Sequence, residues 1–463
     1  MFADRAHLAK VHYSRLNRGL FTAGLLLCTL GLWAQDSKKS PVVKVRDPMA
    51  TRFFKPDPGR VTAMVQTGVQ RITGEKTPAA AWRSMFTPKD VIGIKVNSHS
   101  GTLIGTRPAV VAAVIEGLLQ GGISASQIVI WDKQLHDLKQ AGYTKFTQKY
   151  GVQIAGARDS GYDEWNPYQL KAFGGKLQPG DHLFGKTKYS NISHLSKLVT
   201  QRFTAIISIH SPMFIPQKGA SGHLAELALA SADNIQRFNY SFLHYRSAVV
   251  DLCDRIAFSH TLVPKLFLKE LENLKTDRAG AAQKLSLFPL GTEPAFFYFE
   301  ELSDKALPAD LAFRVAYEKA RDSKNAKEIR ILTDSLAWNQ WVLPEGRVVL
   351  NLNAWQDKMA TQTKFRFHIT DALLCQYNQG HRLRPDYAAA TNELWFSPDP
   401  LALDVLAHQL IEALRRSANL PKGANPEVMH RDANRKFLGS VYLEDMDIQS
   451  ITMPAAGPKE NRE

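Results

Sequence analysis

The stretch DVIGIKVNSHSGTLIGTRPAVVAAVIEGLLQGGISASQIVIWD, residues 90–132, decides how the chain is read. Val91 to Val96 is a short β-branched apolar run that ends among Lys95, Asn97 and His99 and runs into a glycine-containing turn, the pattern of a buried strand opening into a loop. Thr106, as N-cap, and Pro108 in the first turn start a helix whose Val110, Val111, Val114, Ile115, Leu118 and Leu119 recur at helical spacing. Gly121 and Gly122 close it, and a second buried strand, Ile128 to Trp131, ends in Asp132. Strand, loop, helix and parallel strand make one βαβ unit with an expected right-handed crossover. The fold class that follows is α/β, a mostly parallel sheet with flanking helices.

Ligands of open α/β sheets sit beyond the carboxyl ends of the strands, where helix N-termini offer free N–H groups. Lys95, Asn97, His99, Thr106 and Asp132 fall at that edge and are the candidate ligand-binding set. Lys95 and Asn97, two apart on a strand, are expected on one face. Two readings of them stand: contacts to a ligand, or partners for loop backbone groups that need satisfying in any case. The loop has no GxGxxG, which argues against a dinucleotide site.

Working outward, the N-terminus has Arg5, Lys10, Arg15 and Arg18 ahead of an apolar run from Leu20 to Trp33, then Ala34 and a polar stretch. This describes a secretory signal peptide over residues 1–34, and the run is short for a transmembrane helix. Leu27 stands where a lipoprotein signal needs a small residue before Cys28, and Arg15 and Arg18 are not a twin-arginine pair. An exported protein, periplasmic or extracellular, is expected. Cleavage takes away four basic residues and Asp4, lowering the formal charge of the 463-residue chain from +14 to +11. Such a chain can meet anionic envelope surfaces. Its basic residues are scattered without an aromatic-interleaved stripe, so no specific nucleic-acid site is expected. Cys253 and Cys375 remain, too few for a four-cysteine iron–sulfur cluster; a disulfide between them is permitted but has no framework signal.

Residues 35–57 read as a linker and first strand, and 58–259 as the first part of the α/β domain. Within it the pattern predicts helices over Pro58–Ile72, Leu135–Gln148, Leu224–Ala230 and Ser247–Phe258, a short helix beginning at His194–Val199, and strands over Val152–Ala155 and Thr204–Ile209. Residues 156–185 read as an irregular excursion. Residues 260–360 change character and are expected to form an inserted, mainly helical subdomain, whose Trp338, Trp341 and Trp355 suit a hydrophobic seam or a carbohydrate platform. Residues 361–450 return to α/β patterning, and 451–463 read as a tail. Here Phe365–Ile369 is a strand running into Asp371, and Asp399 with Pro400 starts a helix in which Asp404 lies between apolar neighbours and must be paired.

In order along the chain, VVKVRDP, TGEKTPAAAW, DVIGIKVNSHSG with TRPAVV, IVIWD, ITDALLCQYNQG and SPDPLALD resemble the exported bacterial branch of the family called domain of unknown function 362, over residues 41–259 and about 365–450. The resemblance implies an α/β domain without an established reaction. It maps Lys95, Asn97, Thr106, Pro108, Asp132, Asp371, Asp399 and Asp404 onto the family's polar pattern. The chain departs from that pattern at Met213, Phe214 and Ile215, at Ala225 and Glu226, and at Asn239, where the family has polar or ionisable groups. His210, Lys218 or His223 are the nearby residues able to compensate.

Three functions are consistent with this reading. The first is an exported protein that binds a small charged ligand at the strand edge, its catalysis lost. The second is an exported enzyme using Asp132, Asp371, Asp399 and Asp404 as acid/base groups or as hard oxygen ligands for a divalent metal such as Mg or Ca. The third is an envelope-interaction protein. Convergence of Asn97, Asp132 and Asp371 with Asp404 would favour the second, since clustered carboxylates need a cation or protons.

Overall fold

The computed structural model describes residues 39–169, 192–258 except 217 and 241, the pairs 307–308 and 341–342, and 363–454 except 437. The expected signal peptide, nearly all of the expected subdomain at 260–360, and Trp338 and Trp355 lie outside the described residues.

An eight-stranded sheet organises the rest. Its strands are β1 (Ser40–Arg46), β2 (Ile92–Lys95), β3 (Ile128–Asp132), β4 (Gln153–Gly156), β5 (Ala205–His210), β6 (Phe365–Gln376), β7 (Ala388–Ser397) and β8 (Met446–Thr452). Their spatial order is β8-β1-β7-β6-β5-β2-β3-β4. β7 is antiparallel to both β1 and β6, every other pairing is parallel, and so β7 alone runs against the other seven. The expected mostly parallel α/β architecture is the one found.

Strand alternation divides the core between the two faces. Ile92, Ile94, Ile128, Ile130, Ile207 and Phe367 pack on one side with Val65 and Val69 of α1 (Pro58–Thr73), Trp82 of α2 (Pro78–Met85) and Val114 and Leu118 of α3 (Pro108–Gln120). Val129, Trp131, Ile206 and Trp395 face the other side, covered by α4 (His223–Ser231), α5 (Phe242–Phe258), α6 (Pro400–Ser417) and α7 (Glu427–Arg435). The strands near the middle are apolar on both sides and therefore read as continuous hydrophobic runs.

Local expectations fail where short-range signals compete. Leu135–Gln148 is two short helices, Leu135–Gln140 and Thr144–Tyr150, because Gly142 turns the chain at a φ of 81°. Part of the expected excursion is a strand, Tyr162–Gln169, paired antiparallel with Ile192–Ser196, so His194 begins no helix. A π-helical turn over Leu198–Arg202 follows instead. The strand ending at Thr452 runs into the expected tail. Cys253 and Cys375 are both buried and free, so the permitted disulfide is absent.

Candidate functional site

Lys95 is the last residue of β2 and is 1% exposed. Its ammonium lies 2.7 Å from the Val96 carbonyl, 3.0 Å from Asp132 Oδ1 at the end of β3, and 3.3 Å from Glu226 Oε2 on α4. Burial alone would lower the pKa of Lys95, but the two carboxylates outweigh it and hold it above the ordinary lysine value. Asp132 is held below the usual carboxylate range: burial would raise it, and the Lys95 charge together with Ser98 and the Lys133 amide prevails. Ser98 donates to Asp132 Oδ2 from both its amide, at 2.8 Å, and its hydroxyl, at 2.6 Å.

Helix α4 brings Glu226 to this pair and is held at both ends by charge. At its N-terminus the His223 and Leu224 amides donate to Asp404 of α6, at 2.6 and 3.1 Å. At its C-terminus Lys133 donates to the Leu229 and Ala232 carbonyls, at 2.9 and 2.6 Å. A negative group at the start and a positive one at the end both complement the helix dipole. Asp404 comes so close that a Cβ on Gly222 would lie 2.6 Å from its carboxyl carbon, which is why glycine stands there. Burial nevertheless pushes Asp404 up to about 7, and lowers Lys133 to about 8.

Beneath α4 runs a row of buried imidazoles. Ser208 of β5 is in register with both Lys95 and His368, and His210 with Thr370. His223 lies over them, with Nδ1 2.9 Å from Ser208 Oγ and Nε2 3.0 Å from Thr370 Oγ1. Its ring centroid is 5.4 Å from that of His210 and 5.5 Å from that of His368. His210 Nε2 meets Ser221 Oγ at 3.0 Å, while His210 Nδ1 and both nitrogens of His368 have no hydrogen-bond partner among the described residues. Burial lowers His210 to about 4 and His368 to about 3, and takes His223 well below its ordinary value, so all three are neutral near pH 7.

The remaining expected site residues do not join this centre. Thr106 is not the N-cap of α3, a position taken by Arg107. The Thr106 hydroxyl instead accepts from the Asn97 amide and donates to the Ile209 carbonyl, tying two strand ends together. Asn97 accepts from the Ser100 amide through Oδ1, so both residues serve loop backbone. His99 is 70% exposed at the rim, 3.5 Å from Asp137. Asp371 is 2.7 Å from Arg107 Nη1 and also accepts from the Arg107 amide, forming a buried latch that includes Ser211. Asp399 caps α6 through the Ala402 amide and accepts from Ser40 and Ser440. Asp132, Asp371, Asp399 and Asp404 thus each have partners of their own, and these contacts lend no support to the convergence of Asn97, Asp132 and Asp371 with Asp404 that would favour an enzyme. Among the described residues no group of three or more His, Cys, Asp or Glu side chains is placed to hold a metal ion.

Glu226 is the group the sequence reading missed as a site residue. It stands out there as a departure from the pattern of the family the sequence resembles, yet its carboxylate completes the Lys95 pair and is 23% exposed. His381, whose Nδ1 is 3.4 Å from Ser100 Oγ and whose ring is 6.2 Å from that of His99, forms the rim on the β6–β7 turn. Lys218, placed over the Tyr245 ring at 4.1 Å, stands on the loop that leads into α4. His381 had no signal in the sequence, because nothing local to it reveals that its turn folds back over the β2 loop.

No family model matches the chain, and no curated protein matches it. Among solved structures it is similar to a structural-genomics crystal structure of a protein from Thermotoga maritima, at 11% identity and a TM-score of 0.25. The match covers 43% of each chain, so this chain spans less than half of that protein's length.

Proposed function

We propose that the chain is an exported binding protein, akin to the family it resembles, that holds a small charged ligand at the carboxyl edge of the sheet beside Lys95 and Glu226. The supporting observation is the arrangement of the Lys95 cluster. Of the three groups whose oxygens surround the ammonium, the Val96 carbonyl, Asp132 and Glu226, the partly exposed carboxylate of Glu226 is the one open to a ligand. A carboxylate accepts hydrogen bonds and attracts cations, so the ligand presents an amine or another positively charged donor to it. His99, His381 and Ser100 line the rim and read the rest of the molecule.

The test is calorimetric titration of the purified chain with a panel of small amines, zwitterions and carboxylates, repeated on Glu226→Gln. Binding of a cationic compound that is lost in a Glu226→Gln protein of unchanged stability supports the reading. Binding confined to anions, or unchanged in Glu226→Gln, sinks it. The enzyme reading has less to stand on: Asp371, Asp399 and Asp404 are committed to an arginine or to helix N-termini, and His210, lowered to about 4, is a weak base at neutral pH.

A further inference from the structure

The turn after β1 is a two-residue hairpin, with Thr51–Arg52 paired to Lys55–Pro56 and Phe53 and Phe54 at its tip. Both tip residues have positive φ, 48° and 60°, as the favoured two-residue hairpin turn requires and as Asn-Gly supplies without strain. Two phenylalanines are costly in that conformation, and these gain little burial in return: Phe53 is 84% exposed, with the Arg52 guanidinium over its ring, and Phe54 is 45% exposed.

The tip does not stand alone. Since β1, β2 and β6 run the same way, the turns after them emerge at one edge of the sheet. Met49, Phe53, Phe54, Leu103 and Leu383, five of the nine exposed large hydrophobic side chains among the described residues, lie on those three turns. Basic residues bracket them: Arg52 and Lys55 flank the phenylalanines, and Arg382 and Arg384 flank Leu383. None of these four makes an ion pair among the described residues. The nearby acids Asp47 and Asp57 are engaged by Arg60 and by the start of α1, leaving the exposed Asp386 as the opposing charge on the β6–β7 turn.

We infer that this edge docks on an anionic phospholipid surface, with Phe53 and Phe54 inserting between headgroups and Arg52, Lys55, Arg382 and Arg384 meeting the phosphates. Apolar insertion and electrostatic attraction together are what reversible lipid attachment needs, and each alone is marginal. Lys95, at the end of β2, lies at the same edge, so docking turns the candidate site towards the membrane. This inference does not depend on the ligand proposed above.

The test is vesicle co-sedimentation of the chain from Gln35, which keeps every described residue. Vesicles of zwitterionic lipid alone are compared with vesicles mixed with anionic phospholipid. The parent binds the mixed vesicles at least about tenfold better, and added salt weakens the binding. The double variant Phe53→Asn, Phe54→Gly keeps the turn geometry and loses about tenfold or more, and Arg382→Gln, Arg384→Gln loses severalfold. No vesicle binding by the parent, binding indifferent to lipid charge, or binding that survives the tip variant overturns the inference. So does capture by envelope polysaccharide, or self-association, abolished by the tip variant while vesicle binding persists.

Discussion

At the scale of single residues the Lys95 cluster separates stability from recognition. Replacing Lys95 with Met leaves Asp132 buried and unpaired, and is expected to cost about 3–5 kcal/mol in a urea unfolding curve. Glu226→Gln removes a charge that water partly screens, and is expected to shift the same curve by less than about 1 kcal/mol. The opposite sign is expected at His368, a buried imidazole without a partner on either nitrogen: His368→Leu should stabilise the protein by about 1 kcal/mol at neutral pH. Some of this was legible in the sequence. A carboxylate at Asp404, set between apolar neighbours one turn into a helix, had to be hydrogen-bonded, and it is. Which partner it takes could not be read, because the two amides lie about 180 residues away in sequence. The same blindness left open whether Asn97, Asp132 and Asp371 converge with Asp404. Each stands at a strand end or helix start, but the sequence does not say which face of the sheet each one serves.

At the scale of elements, α4 is held in place from outside, because α6 and Lys133, just after β3, supply its two capping charges. Asp404→Ala removes the N-terminal one and is expected to lower stability by about 1–2 kcal/mol, with faster amide exchange at His223 and Leu224. The hairpin tip should respond the other way: Phe53→Asn with Phe54→Gly relieves two left-handed bulky residues and is expected to stabilise the fold by about 1–2 kcal/mol. A thermal melt checks both. Elements with one dominant period were easy to read, as Pro58–Thr73 and Pro108–Gln120 show. Those read wrongly are short, and their pattern fits two periods at once: ISHLS is strand in the structure because it pairs with a partner, not because of its own sequence.

At the scale of the molecule the buried titratable groups set a pH profile. His210, His368 and His430 fall to about 4, 3 and 3 in the fold, against an ordinary value of 6.5, and His223 falls as well. Groups depressed in this way contribute stability that is present above about 6.5 and lost as pH falls towards their folded values. Asp404, raised to about 7, acts in the other direction, its contribution being present below 3.8 and lost as pH rises to 7. Burial also raises Asp399, and the four histidines outweigh these two aspartates, so the melting temperature is expected to fall steadily as pH is lowered from 6.5 to 4. A flat profile over that range would contradict the buried histidine row. The parallel core of the sheet was legible from runs such as IGIK, IVIWD and AIISIH. The outer strands were harder: β8 alternates exposed and partly covered residues and carries no run to mark it.

The position of β1 also fixes when the sheet can close. Ser40 is in register with Met446, and Val43 with Phe396, so β1 finds neither neighbour until at least about 350 further residues have been made. Pairings of such long separation form slowly, and until they form the leading segment stays extended and unmatched. That is also the state in which an unmatched strand is open to pairing with a second copy of the chain.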